Sequence, residues 1–371
     1  MRVIGIDIRD IEEGWAGRKR YTSLLLDGLL SADRTNRFVL FSRSLSDVDF
    51  NGNFSVVRFD KPVFLWHRDV IDYCAREVDV YISPRSPITP AFLNVRSILV
   101  VHDLISFTPF GRHLPIKSRI IEKIFMNRAV KKADVIVAVS ENTKSDLIER
   151  FKIAEEKIRV IYEAPDPIFR KIDVNEEVLS RYGLEPMRYI LFVGTLEPRK
   201  NVGTLIEAYT RLSPEVRDNF KLVIAGRLGW SYGAVIEKAE SLSKQGKVVF
   251  TGYVPDRDLV HIYNGARLFV YPSLYEGFGL PVLEAMSCGV PVVSSDAASI
   301  PEIVGDTGIS VPPLAVDEIS RAMEDILTDD EMWHILSEKA LRRSKLFSWD
   351  CLLYTSPSPR DLSTSRMPSS A

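Results

Sequence analysis

The sequence predicts an α/β chain of two doubly wound parallel-sheet domains facing across a cleft, and three observations predict it. Strand-like apolar runs alternate with segments of helical periodicity almost throughout. The alternation pauses at a polar, Pro-rich stretch in mid-chain and then restarts. The length, 371 residues, suits two domains better than one.

In the first half the predicted strands are residues 3–8, 38–41, 80–82, 97–101, 135–139 and 159–161. Segments such as Tyr21, Leu24, Leu25, Gly28 and Leu29 lie between them at helical spacing. Pro165, Pro167 and Pro186 bracket a linker at 166–187. The second half repeats the scheme, with strands at 189–193, 222–225, 248–250, 268–270, 290–294 and 309–311 and closing helices at 317–327 and 330–346. Strand–helix alternation implies a parallel sheet covered on both faces. Residues 1–165 and 188–350 are therefore expected as two Rossmann-like domains, with their ligand loops at the carboxyl ends of the strands.

Composition narrows the function. The chain is 46% hydrophobic and 26% charged, enough to bury real cores, and its net charge of −2 points to no bulk polyanion partner such as nucleic acid. Cys74, Cys288 and Cys351 are far apart and show neither metal spacing nor a disulfide framework, which fits a reducing cytoplasm. A strand begins within two residues of Met1, so no signal peptide is expected, and no run is long and apolar enough to span a bilayer. Residues 351–371, CLLYTSPSPRDLSTSRMPSSA, shift abruptly to Ser, Pro, Thr and Arg. They read as a non-native disordered tail that resembles a translated transposon-type sequencing adapter, with the natural C-terminus missing.

The chemistry concentrates in Tyr271-Pro272-Ser273-Leu274-Tyr275-Glu276-Gly277-Phe278-Gly279-Leu280-Pro281-Val282-Leu283-Glu284, which follows an apolar strand. Gly277 and Gly279 permit a tight loop with exposed backbone N–H groups. Pro281 suits the first position of a helix, whose N-terminus is an anion site fit for a diphosphate. A carboxylate beside a diphosphate is repelled, so Glu276 and Glu284 more plausibly accept hydrogen bonds from hydroxyls on either side of it. That pattern describes a nucleotide sugar. The blander reading is a glutamate favouring a helix dipole with no ligand at all.

These motifs, with Gly194-Thr195-Leu196-Glu197-Pro198-Arg199-Lys200-Asn201, Val101-His102-Asp103, Ala225-Gly226-Arg227 and Thr251-Gly252-Tyr253-Val254-Pro255, resemble the family 4 retaining glycosyltransferases of the GT-B fold in order and spacing across residues 1–350. The resemblance implies that Arg199 and Lys200 hold the diphosphate and Glu284 the ribose. It implies that Glu276 and the backbone of Gly277, Phe278, Gly279 and Leu280 hold the transferred sugar, and that His102 reaches it from the other domain. Gly17 and Val254 complete the implied donor-binding set. The chain departs from the family pattern at Lys19, where a Gly is common, and at Thr195, where an Arg is common.

Resemblance further implies retention; the sequence offers no obvious well-placed carboxylate nucleophile, so front-face transfer is expected, with no cofactor beyond the nucleotide sugar. Metal dependence is not expected, since neither Asp47-Val48-Asp49 nor Asp256-Arg257-Asp258 ends a buried strand; Asp256 reads as a helix N-cap. GTLEPRKN resembles mannosyltransferases of surface-polysaccharide assembly, which puts GDP-mannose ahead of UDP-sugars as the expected donor, with a glycan or lipid-linked glycan as the expected acceptor. The competing classes are an epimerase or hydrolase of the same fold and an inactive, truncated nucleotide-sugar-binding protein.

One segment lies outside this scheme. Residues Arg112 to Lys132 carry Arg112, Lys117, Arg119, Lys123, Arg128, Lys131 and Lys132 against a single acid, Glu122. Ile116, Ile120, Ile121, Ile124 and Phe125 recur there at helical spacing. The apolar stripe is expected to be mostly core; the basic excess reads either as a solvated face or as a peripheral dock for an anionic membrane surface at the inner face of the cell membrane.

Overall fold

The computed structural model describes residues 1–13, 16–45, 47–113, 116–227, 229 and 233–349. The adapter-like segment 351–371 lies outside them. The chain divides into two compact units, Met1–Glu163 joined by the chain from Ser348, and Ala164–Phe347.

The first unit is built on β1 (Val3–Asp7), β2 (Arg37–Ser42), β3 (Phe54–Arg58), β4 (Val80–Ser83), β5 (Arg96–Val101), β6 (Val135–Ala138) and β7 (Ile158–Val160). Its sheet is parallel throughout in the order β3-β2-β1-β4-β5-β6-β7. A parallel sheet is buried on both faces, so its strands are continuous apolar runs rather than alternating ones. Phe38, Val39, Leu40 and Phe41 are accordingly all buried. Val39, Phe41, Trp66 and Tyr81 form one core cluster of this sheet; Leu99, Val101, Met126, Ile136 and Leu147 form another. The edge strand β3 is the one the sequence does not announce: FSVVR is short and its first four residues are only half-buried.

The basic segment forms the helix Ile116–Lys132. Its inner face is Met126, Ala129 and Val130, with Phe125 partly buried. The expectation that the isoleucine stripe is mostly core is corrected here: Ile116, Ile120 and Ile124 are 66%, 48% and 61% exposed. The apolar residues of this helix exceed what one sheet contact can cover, and the four-residue spacing of these three puts them on one outward strip. Phe92 is exposed as well, packed edge-on to Phe125 with the Arg128 guanidinium over its ring. Glu122 points inward, accepting a hydrogen bond from Ser106 Oγ.

The second unit holds β8 (Tyr189–Val193), β9 (Lys221–Ala225), β10 (Val248–Gly252), β11 (Leu268–Tyr271), β12 (Val292–Ser295) and β13 (Ile309–Val311), parallel in the order β10-β9-β8-β11-β12-β13. The closing helices are Val316–Thr328 and Asp330–Ser344. Residues 166–187, expected as a linker, carry the helix Glu176–Arg181 and are tied into this unit. Asn264 bonds Ile172 N and Arg170 O, and Tyr182 OH donates to Asp258. Asp256 is the first residue of the helix Asp256–Gly265, with Pro255 in the cap position expected for Asp256. Among the described residues no helix is long and apolar enough to cross a membrane.

In each sheet the strand order reverses once, between β1 and β4 and between β8 and β11. Such switch points open a crevice outside the carboxyl ends of the strands, where ligands of open α/β sheets bind.

Candidate active site

In the second unit the loops leaving β8 and β11 flank the switch point and are stitched together. The loop after β8 ends in a 3-10 turn, Pro198–Lys200, capped by Asn201 at φ 57° in the left-handed region that Asn tolerates. The Asn201 amide donates to Pro272 O at 3.1 Å and to Pro313 O at 2.6 Å. Leu274 N donates to Arg199 O at 2.7 Å, and Arg199 Nη1 to Tyr275 O at 3.1 Å.

The stitching brings Arg199, Lys200 and Glu276 together. Arg199 Nη1 lies 2.6 Å from Glu276 Oε2, and Lys200 Nζ lies 2.7 Å from Oε1. Ser273 Oγ donates to Oε1 at 2.6 Å, and Tyr271 OH at 3.1 Å. Lys200 Nζ also bonds the Tyr271 hydroxyl. Burial alone would raise the Glu276 pKa; the two cations and the hydrogen bonds override it and hold it at about 2. Burial and the neighbouring guanidinium lower the Lys200 pKa, against the pull of Glu276. Glu197 Oε2 lies 3.0 Å from Arg199 Nε, so the two cations are set against two carboxylates, with Glu276 bridging both cations. Tyr271 and Ser273 stand in the sequence stretch singled out above, but nothing in their type or spacing marked them as partners of Glu276.

Glu276 leads into the helix Leu280–Ser287, on which Pro281 takes the second position rather than the first. Gly279 precedes it at φ 126°, and a Cβ there would lie 2.6 Å from Ile300 Cδ1. Ser299 Oγ binds the carbonyls of Glu276 and Phe278 and fixes the loop. Phe278 is buried against Phe347. Glu284, also buried, accepts from Tyr263 OH at 2.9 Å. The strand ends alongside pack backbone on backbone: a Cβ on Gly226 would fall 2.1 Å from Gly194 O. Val254 is buried beside an exposed Tyr253, over whose ring the Arg227 guanidinium lies at 4.7 Å.

In the first unit His102 follows β5. Its Nδ1 is 2.7 Å from Glu163 Oε1 and its Nε2 is 2.9 Å from Pro84 O, so both ring nitrogens face acceptors. Burial would lower its pKa, but the Glu163 carboxylate outweighs this and raises it. A nitrogen contact from His102 to a sugar would have to replace one of these bonds. Tyr21 packs edge-on against the His102 ring at 4.6 Å, and Trp349 lies 5.8 Å from Tyr21. Glu163 was legible only as the residue before Pro-rich chain. Gly17 sits exposed in the first turn of the helix Ala16–Ala32, where a Cβ would meet nothing within 4 Å. Of the Asp-x-Asp pairs, Asp47 and Asp49 are exposed, while Asp258 is engaged by Arg181 and Tyr182.

Two stitched strand-end loops thus set paired cations and their carboxylates beside a glycine-led helix N-terminus. Comparison with known proteins gives the family. Residues 176–343 match the family model for glycosyl transferases group 1, and residues 60–167 match that for glycosyltransferase family 4. The chain is 38% identical over 285 residues to the O-antigen chain mannosyltransferase B of Escherichia coli, covering 76% of this chain and 72% of that one. It is 35% identical over 262 residues to the serotype-specific mannosyltransferase WbdA of Escherichia coli, spanning about a third (32%) of that longer protein. Sucrose-phosphate synthase from Thermosynechococcus elongatus shares the fold at a TM-score of 0.76, 19% identity and 95% coverage of this chain and 97% of that one. The chain belongs to the family 4 glycosyltransferases of the GT-B fold.

Proposed function

We propose that the enzyme moves mannose from GDP-mannose to a glycan or lipid-linked glycan acceptor, with retention and without a metal ion, in cell-surface polysaccharide synthesis. The observation that carries the reading is the Arg199–Lys200–Glu276 cluster at the strand ends of the second unit. Two cations held beside a helix N-terminus suit a departing nucleoside diphosphate, whose growing charge they stabilise in place of a metal. In the front-face step the sugar C1–oxygen bond to the diphosphate breaks. The acceptor hydroxyl bonds to C1 from the same face, and its proton passes to the leaving phosphate oxygen. Glu276 and the backbone from Gly277 to Leu280 hold the sugar, Glu284 the ribose, Val254 and Gly17 the rest of the donor, and His102 braces the sugar from the first unit. The mannosyltransferase relatives from Escherichia coli, one of them an O-antigen chain enzyme, support mannose and an O-antigen-type chain.

Transfer from radiolabelled GDP-mannose in the presence of EDTA tests this. Full activity and an α-configured product are expected. Loss on chelation restored by manganese would overturn metal independence, an inverted anomer would overturn retention, and free mannose or an epimer as sole product would favour the hydrolase or epimerase reading.

The same proposal places the enzyme peripherally on the cytoplasmic leaflet. The exposed strip of Ile116, Ile120, Ile124 and Phe92 is flanked by exposed Lys117, Lys123 and Arg128, and the one acidic residue of the helix is turned inward. Burial and the field of Asp103 raise the pKa of Glu122 to about 7, which further reduces negative charge there. Apolar residues ringed by cations suit the interface of an anionic bilayer, where each cation contributes about 1 kcal/mol. Flotation with phosphatidylglycerol vesicles is expected. It should fall with salt and be lost in the double variant Ile120→Ser, Ile124→Ser. Equal flotation with neutral vesicles, or none at low salt, removes the dock.

A further inference from the structure

The switch point of the first unit holds a pair of aspartates with opposite fates. Asp7 ends β1 and is satisfied: Arg9 Nε and Nη2 donate to it at 2.9 and 2.6 Å, and Arg9 N at 3.1 Å. Burial would raise its pKa, but the Arg9 charge lowers it overall. Asp10, three residues on, is 1% exposed, and neither of its carboxylate oxygens has a hydrogen-bond partner. A close countercharge is Arg85, two residues beyond β4, with Nη1 3.3 Å from Oδ1. Burial therefore dominates and raises the Asp10 pKa, with Arg85 and Arg18 opposing and Asp7 adding to the rise. A buried carboxylate lacking hydrogen bonds costs stability, and such groups persist where a ligand completes them.

The position fits. β1 and β4 are the adjacent strands between which the order reverses, so Asp10 and Arg85 stand on the two sides of the crevice where ligands bind. Arg85 and His102 keep 20% and 18% of their side chains exposed, so the cluster reaches the surface through them. His102 is fastened to Pro84 O, the residue before Arg85, which links β5 to the same group.

The charges select the ligand class. A metal ion would meet the cations Arg85 and Arg18, and among the described residues no group of three His, Cys, Asp or Glu side chains could hold one. A phosphate would meet Asp10. A neutral polyol suits both, since one hydroxyl can donate to the carboxylate while its neighbour accepts from the guanidinium. We infer that Asp10 and Arg85 form a saccharide subsite that binds a hydroxyl pair of the acceptor, distinct from the donor-holding carboxylates Glu276 and Glu284 of the second unit.

The inference rests on the glycosyltransferase reading, and the test separates the two. Calorimetry would measure binding of GDP and, separately, of methyl α-D-mannopyranoside and an α-mannobioside to the full chain; steady-state transfer would use the same glycosides. In Asp10→Asn, glycoside affinity should fall at least tenfold and the acceptor KM rise to match, with the donor KM within twofold and kcat little changed. The melting temperature should hold or rise, because a buried charge has been removed. Arg85→Lys, which keeps the charge but loses the fork, should show a smaller loss in the same direction. Unchanged glycoside affinity in Asp10→Asn, a parallel rise in donor KM, or a wild type that binds GDP but neither glycoside overturns the subsite. A wild type that binds no nucleotide overturns the functional reading instead.

Discussion

Lys200→Ala is expected to lower kcat by about 100-fold or more at saturating donor. The loss reflects one preorganised charge removed from the departing diphosphate, and removal of a single stabiliser of this kind has that size. The fold should survive. Glu276 retains Arg199 at 2.6 Å and the hydroxyls of Ser273 and Tyr271, so no buried carboxylate is left alone. The check is turnover of GDP-mannose beside a melting curve: near-normal kcat in a folded variant removes Lys200 from the chemistry.

Glu276→Gln should act differently. The amide keeps the shape but withdraws the carboxylate paired with the buried Lys200, while Arg199 keeps Glu197 at 3.0 Å. Breaking one side of a buried ion cluster costs about 3–5 kcal/mol, because the other side is left uncompensated. Transfer should slow, and the ligand-free variant should melt well below wild type. Added GDP should raise its melting temperature more than it raises that of wild type, since the diphosphate restores the missing negative charge. Glu284→Gln, by contrast, should lose GDP affinity and show no enlarged shift. Equal losses of GDP binding in the two variants would dissolve this division of roles.

The sheets were legible because parallel strands advertise themselves. Buried on both faces, residues 38–41 and 189–192 read as unbroken apolar runs, whereas β3, at an edge and half-buried, lacks that signature. The site motifs were legible as types and spacings, since a glycine at φ 126° before a helix and cations after a strand are local features. What connects them was not. Glu276 and Lys200 meet 76 positions apart, and His102 meets Glu163 61 apart, through loop hydrogen bonds no periodicity encodes. The isoleucine stripe misled for a related reason: helical spacing shows that residues share a face, and only packing shows whether that face is covered. Asp10 looked like one acid among many, because a missing partner has no sequence signal.

The return of Ser348 and Trp349 to the first unit bears on how the molecule is made. A ribosome delivers β1 to β7 first, yet the Trp349 ring beside Tyr21 emerges only after the entire second unit. Tyr21 in turn packs on His102. The first-synthesised unit can thus close its sheet early, but the aromatic stack behind its histidine is finished last, after the second unit has had its chance to fold. An enzyme assembled in that order completes the surroundings of His102 only once its second unit has been made.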